Sequence, residues 1–392
     1  MSFSGGLPGW SYRKSVTISR ASGAVTNYQL QILIGESSGS VGYNVHCEGH
    51  ILSSFNDLRF TTSDGLTLLD YWIEDTATTG TTPNQLFTVW VEFDSIGTGD
   101  TTFYMYYGNS GASAYSNGDN TFVLHDHFPG TNYDSTKWDF AGTNPTHYNL
   151  SVSSSKLNMQ LHDITAGVYA GCGLVSKTNL PSENYSVETY MYKPIGGAAG
   201  QLGFLLGLTS KSFQDTGYYG EWDNYSGLSL GAYSSQNTYA YAFYNQSYTA
   251  GISTNFYSNW IRIWAHIDNT NHHVYGDVNL NGTDYTLNYT GSPGALSARY
   301  PCVHLGDGYY AAANMTAYCD WFFVRRWELT EPTFGVWSSE DSVVSGTSAI
   351  VVTNNWNNVM DMDVAVSGIE QPAEEAYIVV NGVWQQWWPP PV

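Results

Sequence analysis

The sequence predicts an all-β chain of more than one domain, and three observations carry that prediction. Apolar residues alternate with period two through most of its length. No window repeats them at helical spacing, and clusters of Gly, Ser, Thr, Asn and Asp punctuate the alternation at short intervals. At 392 residues the chain is long enough for two or three domains with cores of their own.

In chain order, residues 8–109 read as a β-sandwich. Strands are expected over 15–18, 28–34, 69–73, 87–93 and 101–107, with turns at Ser63-Asp64-Gly65 and at 97–100. Arg13, Asp57, Arg59 and Glu74 are scarce charges among aromatic residues, and we expect them to form ion pairs that fix the sandwich. The stretch 121–138 then organises the rest. It reads as a strand over 122–128 that breaks at Pro129-Gly130 and turns through Asn132, Asp134 and Ser135 to the aromatic anchor Trp138. Strands follow over 150–161, 172–177, 186–192, 202–209, 218–233, 239–244, 260–267, 273–280, 285–289, 302–306 and 316–327. Antiparallel strands at this spacing indicate a two-sheet jelly roll. After Pro332 the pattern shortens, and 377–380, Asn381-Gly382 and 383–387 give a hairpin with a type I′ turn. The expected domains are therefore 1–118, a β-sandwich; 119–340, the jelly roll; and 341–392, a small β module.

Composition limits the function. The net charge is −21, from 34 acidic and 13 basic residues, and no Lys/Arg cluster relieves it locally, so nucleic acid and anionic membranes are excluded as expected partners. No run of 18 apolar residues offers a membrane span. Aromatics at 16% against 12% charged residues suit an extracellular β-protein with a surface of hydroxyls, amides and rings. The N-terminal MSFSGGLPGWSYRK lacks the apolar core of a signal peptide. An exported-looking chain without a signal reads as a virion structural protein freed by lysis, or as a chain whose signal was replaced by Met1. Sequons stand at Asn149, Asn184, Asn224, Asn245, Asn281, Asn288 and Asn314.

The four cysteines allow three full pairings. Spacing favours Cys302 with Cys319, on what read as neighbouring strands folded about the loop 307–314; the alternative is buried free thiols. His46, Glu48 and His50 share one face of an extended segment, as do His125 and His127 around Asp126, and both groups read as surface histidines before metal ligands.

Short motifs add resemblances. Trp10-x-Tyr12-Arg13-Lys14, Asp57-Leu58-Arg59-Phe60-Thr61, Asp70-Tyr71-Trp72-Ile73-Glu74, Trp90-Val91 and Tyr104-x-Tyr106-Tyr107-Gly108-Asn109 resemble a domain of unknown function of archaeal, bacterial and viral surface proteins. Asp126, Phe128, Gly130, Asp134 and Trp138, with Cys319-Asp320-Trp321 and Val324-Arg325, resemble the opening and closing strands of concanavalin A-like (laminin-G-like) jelly rolls. The terminal Val-Asn-Gly-Val-Trp resembles short repeats near the ends of phage tail and fibre proteins. The jelly-roll resemblance implies a structural calcium near the paired first and last strands, for which Asp126 and Asp320 are the matching carboxylates.

Jelly rolls of this class include laminarinase-type hydrolases with Glu-x-Asp-x-x-Glu on one strand. Here Glu221 and Asp223 match, but Ser226 stands where the acid/base is needed, so the expectation is that the chain is not an enzyme. The same stretch fits sugar binding better. Tyr219, Glu221, Asp223 and Tyr225 alternate onto one face and are expected to line the groove, with Trp222 in the core or at a strand end; Tyr241 would extend the platform. The expected protein is a non-enzymatic, carbohydrate-binding adhesion protein on the virion surface or outside the cell. It would be a spike, fibre or decoration component that binds host glycans and assembles through the C-terminal module, as a homo-oligomer or with other structural subunits. The alternatives are a purely structural surface protein and a glycan hydrolase with a non-standard acid pair.

Overall fold

The computed structural model describes residues 2–3, 6–74, 78–163, 170–193, 203–210, 225–234, 237–244, 247–254, 259–280, 282–291, 294–307 and 314–343, together with the strands 363–366, 369–372, 376–380 and 383–388. The protein is all-β: the one helix among these residues is the single turn Gly118–Thr121, capped by the Asn117 side chain.

Two sheets form the N-terminal sandwich. One runs Val45–His46, Val25–Gly35, Leu86–Ile96, Tyr71–Ile73. The other carries Tyr12–Arg20 beside Gly99–Tyr107 and then Arg59–Thr61 and Leu68–Leu69. By hydrogen bonding, Thr333–Phe334 and Asp341–Val343 also belong to this second sheet, pairing with Tyr12–Arg20, although the sequence pattern carries the jelly roll on to 340. Alternate residues of both sheets meet in one core, which includes Ile18, Ile32, Phe60, Val89 and Phe103.

The scarce charges do not all pair as expected. Asp57 is fully buried, and its carboxylate accepts from the backbone N–H groups of Leu52, Gly108 and Asn109. Arg59 lies between the Trp10 and Tyr115 rings and donates to the carbonyls of Asn56, Leu58 and Ser113. Arg13 faces Asp341 at 3.7 Å. Glu74 reaches out of the sandwich to Arg262 of the next domain.

The second domain is a two-sheet sandwich. Its domain-facing sheet runs Tyr148–Ser153, Lys156–Leu161, Met315–Arg326, Tyr185–Lys193, Asn259–Asp268, His273–Leu280, Thr283–Tyr289, with Leu124–Asp126 added to Met315–Arg326. The far sheet runs Trp138–Thr143, Ala170–Ser176, Tyr300–Asp307, Phe204–Thr209, Tyr225–Ser234, Asn237–Tyr244, Ser247–Thr254. Leu157, Val187, Ile263, Phe322 and Val324 from the first meet Leu174, Leu206, Leu228 and Val303 from the second. The expected strand over 150–161 is a hairpin, because Ser154 and Ser155 take positive φ.

The outer side of the domain-facing sheet packs on the N-terminal sandwich. Trp72, Trp90 and Phe122 cluster with Trp321 and Phe323. Beside them Glu188, 2% exposed, accepts from Arg325 Nε and Arg262 Nη2, both at 2.9 Å. Burial pushes that carboxyl up, but the two guanidiniums outweigh it and hold the group at about 2. At the C-terminus, Asp363–Val366 pairs with Ile369–Pro372, and Ala376–Val380 with Val383–Trp388, as separate two-stranded ladders.

Candidate functional site

On the outer side of the domain-facing sheet, alternation sends side chains from each strand away from the core. In Asn259–Asp268, Ile261, Ile263, Ala265 and Ile267 turn inward, so Trp260, Arg262, Trp264 and His266 turn out. In Met315–Arg326 the phase changes once. Trp321 lies opposite Tyr190 and Cys319 opposite Met191, which leaves Asp320 as an extra residue. Tyr318 before the bulge and Trp321 after it therefore share the outer face.

Register then assembles a row across four adjacent strands. Asn158 lies opposite Tyr318, Tyr318 opposite Tyr192, and Tyr192 opposite Trp260. At the usual strand spacing this row spans about 14 Å. The Tyr192 ring centroid is 5.5 Å from that of Trp260 and 6.2 Å from that of Tyr318. These rings, with Ser153, Ser154, Lys156 and Asn158, line an open groove of about 360 Å³. Asn158 Nδ2 donates to Ser153 Oγ at 2.7 Å, and the Lys156 ammonium lies 5.6 Å from the Trp260 ring centroid. Towards the domain junction the platform continues through Tyr190, stacked on Trp260 at 5.0 Å and on Trp321 at 6.2 Å. Beyond that point the N-terminal sandwich covers it. The groove thus offers ring faces flanked by hydroxyl, amide and ammonium groups, the combination that binds a polyhydroxylated ring.

The site expected from the sequence names other residues. Tyr219, Glu221, Trp222 and Asp223 lie outside the described residues. Tyr225 does not line an open groove: it is 1% exposed, with its hydroxyl 2.6 Å from the Leu206 carbonyl and 2.7 Å from that of Leu228. Its ring packs with Ala141, Val175, Leu205 and Cys302 on the outer face of the far sheet, with Tyr241 half-buried against them. Ser226 is fully buried. The aromatic row was open to sequence reasoning through the alternation of Trp260, Arg262 and Trp264 with Ile261 and Ile263, but nothing local places Tyr192 and Tyr318 beside it.

Asp126 and Asp320 do not fit a shared calcium site. Asp126 is buried and accepts from the Phe128 N–H at 2.7 Å and the Trp138 indole N–H at 2.8 Å, which makes it an anchor for the turn over 128–138. Asp320 faces the Lys156 ammonium at 3.7 Å. Calcium asks for about six to eight oxygen ligands, and among the described residues no three His, Cys, Asp or Glu are arranged to hold a metal. His46 and Glu48 lie beside the Lys14 ammonium, while His50 meets Glu340 at 2.9 Å; both contacts are internal to the N-terminal sandwich. His125 is buried against Trp72 and Phe122, not on the surface.

The disulfide expectation is also overturned. Cys302 lies in the far sheet and Cys319 in the domain-facing sheet, because the chain crosses between sheets after Asp307 and does not turn back as a hairpin. Cys319 sits in the inter-sheet core and Cys302 on the opposite side of its own sheet; all four cysteines are free and buried.

Residues 54–141 match the profile of a domain of unknown function, DUF2341. No curated protein matches the chain. Among solved structures, a legume lectin-like domain from Entamoeba histolytica is 8% identical over 49% of this chain and 91% of its own, with a TM-score of 0.35. The Lotus tetragonolobus seed lectin is 10% identical over 52% and 99%, with a TM-score of 0.36. A β-1,3-glucanase from Mycobacterium marinum is 15% identical over 52% and 98%, with a TM-score of 0.34. No helix among the described residues is long and apolar enough to cross a membrane.

Proposed function

We propose that this chain is a non-catalytic carbohydrate-binding protein that engages glycans through the Tyr318–Tyr192–Trp260 row. The observation that carries the reading is the register itself, which sets three partly exposed rings and the Asn158 amide side by side across four strands. Sugar C–H faces stack on such rings, and the flanking amide and hydroxyl groups meet sugar hydroxyls. Hydrolysis is disfavoured at this groove, because its lining holds no carboxylate pair of the kind glycoside cleavage requires.

The protein acts at an extracellular or virion surface, as a spike, fibre or decoration component. Its acidic, cation-poor composition suits that setting. Assembly, as a homo-oligomer or with other structural subunits, runs through the C-terminal ladders, since two strands are too few to stand alone in water. Deleting 377–392 then lowers the sedimentation coefficient of the assembly without changing the melt of the first two domains.

The binding reading is tested on a glycan array with the full chain. Binding should be lost in Trp260→Ala and in Tyr192→Ala while their melting temperatures stay near that of the parent. An array on which the parent binds nothing makes the row a packing surface and ends the reading.

A further inference from the structure

Within the carbohydrate reading, and resting on it, the groove also indicates which sugars it takes. Lys156 is one of only 13 cations in a chain of net charge −21, and among the described residues it is the one charged residue lining the groove. Among the described residues its ammonium has no short acceptor. The Ser154 carbonyl stands at 3.4 Å and Asp320 Oδ2 at 3.7 Å, beyond the 2.7–2.9 Å of a strong charged hydrogen bond. An ammonium carries three donors, and this one is held beside the ring of Trp260, the residue expected to stack on the ligand.

We infer that the groove selects acidic sugars, with Lys156 meeting a carboxylate or sulfate on a ring stacked against Trp260. The net charge does not argue against this. Charges more than about 8 Å away are largely screened at physiological ionic strength, so the net charge of the chain weighs less on the contact than the ammonium at the groove itself. Asp320 is the extra residue at a bulge in its strand, and its carboxylate faces the ammonium at 3.7 Å. A neutral sugar would leave those donors facing water.

Isothermal titration of the full chain with paired probes tests the inference. The pairs are trigalacturonate with its methyl ester, and 3′-sialyllactose with lactose. The acidic member of at least one pair should bind about 5- to 20-fold tighter, the range set by a partly exposed charge-assisted contact. Lys156→Met, which keeps an unbranched side chain at the groove, should bring that ratio to near one. Equal binding of both members, abolished by Trp260→Ala, overturns the acidic preference and keeps the carbohydrate reading. A preference that survives Lys156→Met overturns the role of Lys156. Failure of every probe to bind overturns the inference and counts against the carbohydrate reading as well.

Discussion

Replacing Glu188 by Gln should destabilise the second domain at the sheet that faces the N-terminal sandwich. Glu188 accepts from Arg325 Nε and Arg262 Nη2 at 2.9 Å and from Ser186 Oγ at 2.8 Å, in a position 2% exposed. Removing one partner of a buried charge pair costs about 3–5 kcal/mol. The guanidiniums are not wholly abandoned, because Arg262 keeps Glu74 at 3.4 Å and Arg325 keeps Glu331 at 2.9 Å, which argues for the lower end. The depressed carboxyl points to a similar size. A carboxyl held at about 2 in place of its ordinary 4.5 is worth ~3 kcal/mol at 1.36 kcal/mol per pH unit. Since the folded value is depressed, this contribution is present in full above pH 4.5 and lost as pH falls towards 2. Calorimetric melts of the parent and Glu188→Gln should therefore differ by about 3 kcal/mol at pH 7, with the gap shrinking below pH 4.5. A difference under about 1 kcal/mol at pH 7, or a gap that does not shrink in acid, would refute the reasoning.

Three further outcomes follow from the same geometry. Burial, with Asp94 and Asp70 adding to it, pushes the Glu92 carboxyl up to about 7, so its contribution is full below pH 4.5 and lost as pH rises through 7; Glu92→Gln should raise stability at pH 8 by about 1–2 kcal/mol and change little at pH 4, as read by urea denaturation. Asp57→Ala strips acceptors from three backbone N–H groups in a fully buried position and should cost about 2–4 kcal/mol, visible as a lower melting temperature of the N-terminal sandwich. Thiol titration should count four free cysteines in denaturant and almost none in the folded protein, with no effect of reductant on the melt; two thiols in denaturant would restore a bridge.

The strands were largely legible because alternation is a local signal. Ile261, Ile263, Ala265 and Ile267 announce an inward face, and the same rule gives Trp260, Arg262 and Trp264 an outward one. What failed was whatever depends on where a strand goes after it ends. Cys302 and Cys319 read as hairpin partners because the residues between them do not encode a crossing from one sheet to the other. The hairpin hidden in 148–161 turns on Ser154 and Ser155 at positive φ, without the Gly or Asn that would have signalled it. Tyr225 looked like a groove residue because its polar neighbours alternate with it, yet its hydroxyl is met by two backbone carbonyls inside the fold. The aromatic row was missed for a related reason: Tyr192, Trp260 and Tyr318 lie far apart in sequence and meet only through register.

That register gives one aromatic face two fates. Where the N-terminal sandwich covers it, Trp321 and Phe323 are buried against Trp72, Trp90 and Phe122, and Arg262 and Arg325 close the edge against Glu188 and Glu74. Where the cover stops, the rings do not. Tyr190 stacks on both Trp321 and Trp260, so the covered and open halves are one continuous surface. Single exposed rings on a protein surface need no explanation. Three in one row, continuous with a domain interface and flanked by Lys156, Asn158 and Ser153, contrast with the far edge of the sheet. At its far edge the outward positions are Asp284, Thr286 and Asn288, all exposed and all polar. A ligand in the groove would lie on the same face as the domain joint, where Arg262 meets both Glu188 of its own sheet and Glu74 of the N-terminal sandwich.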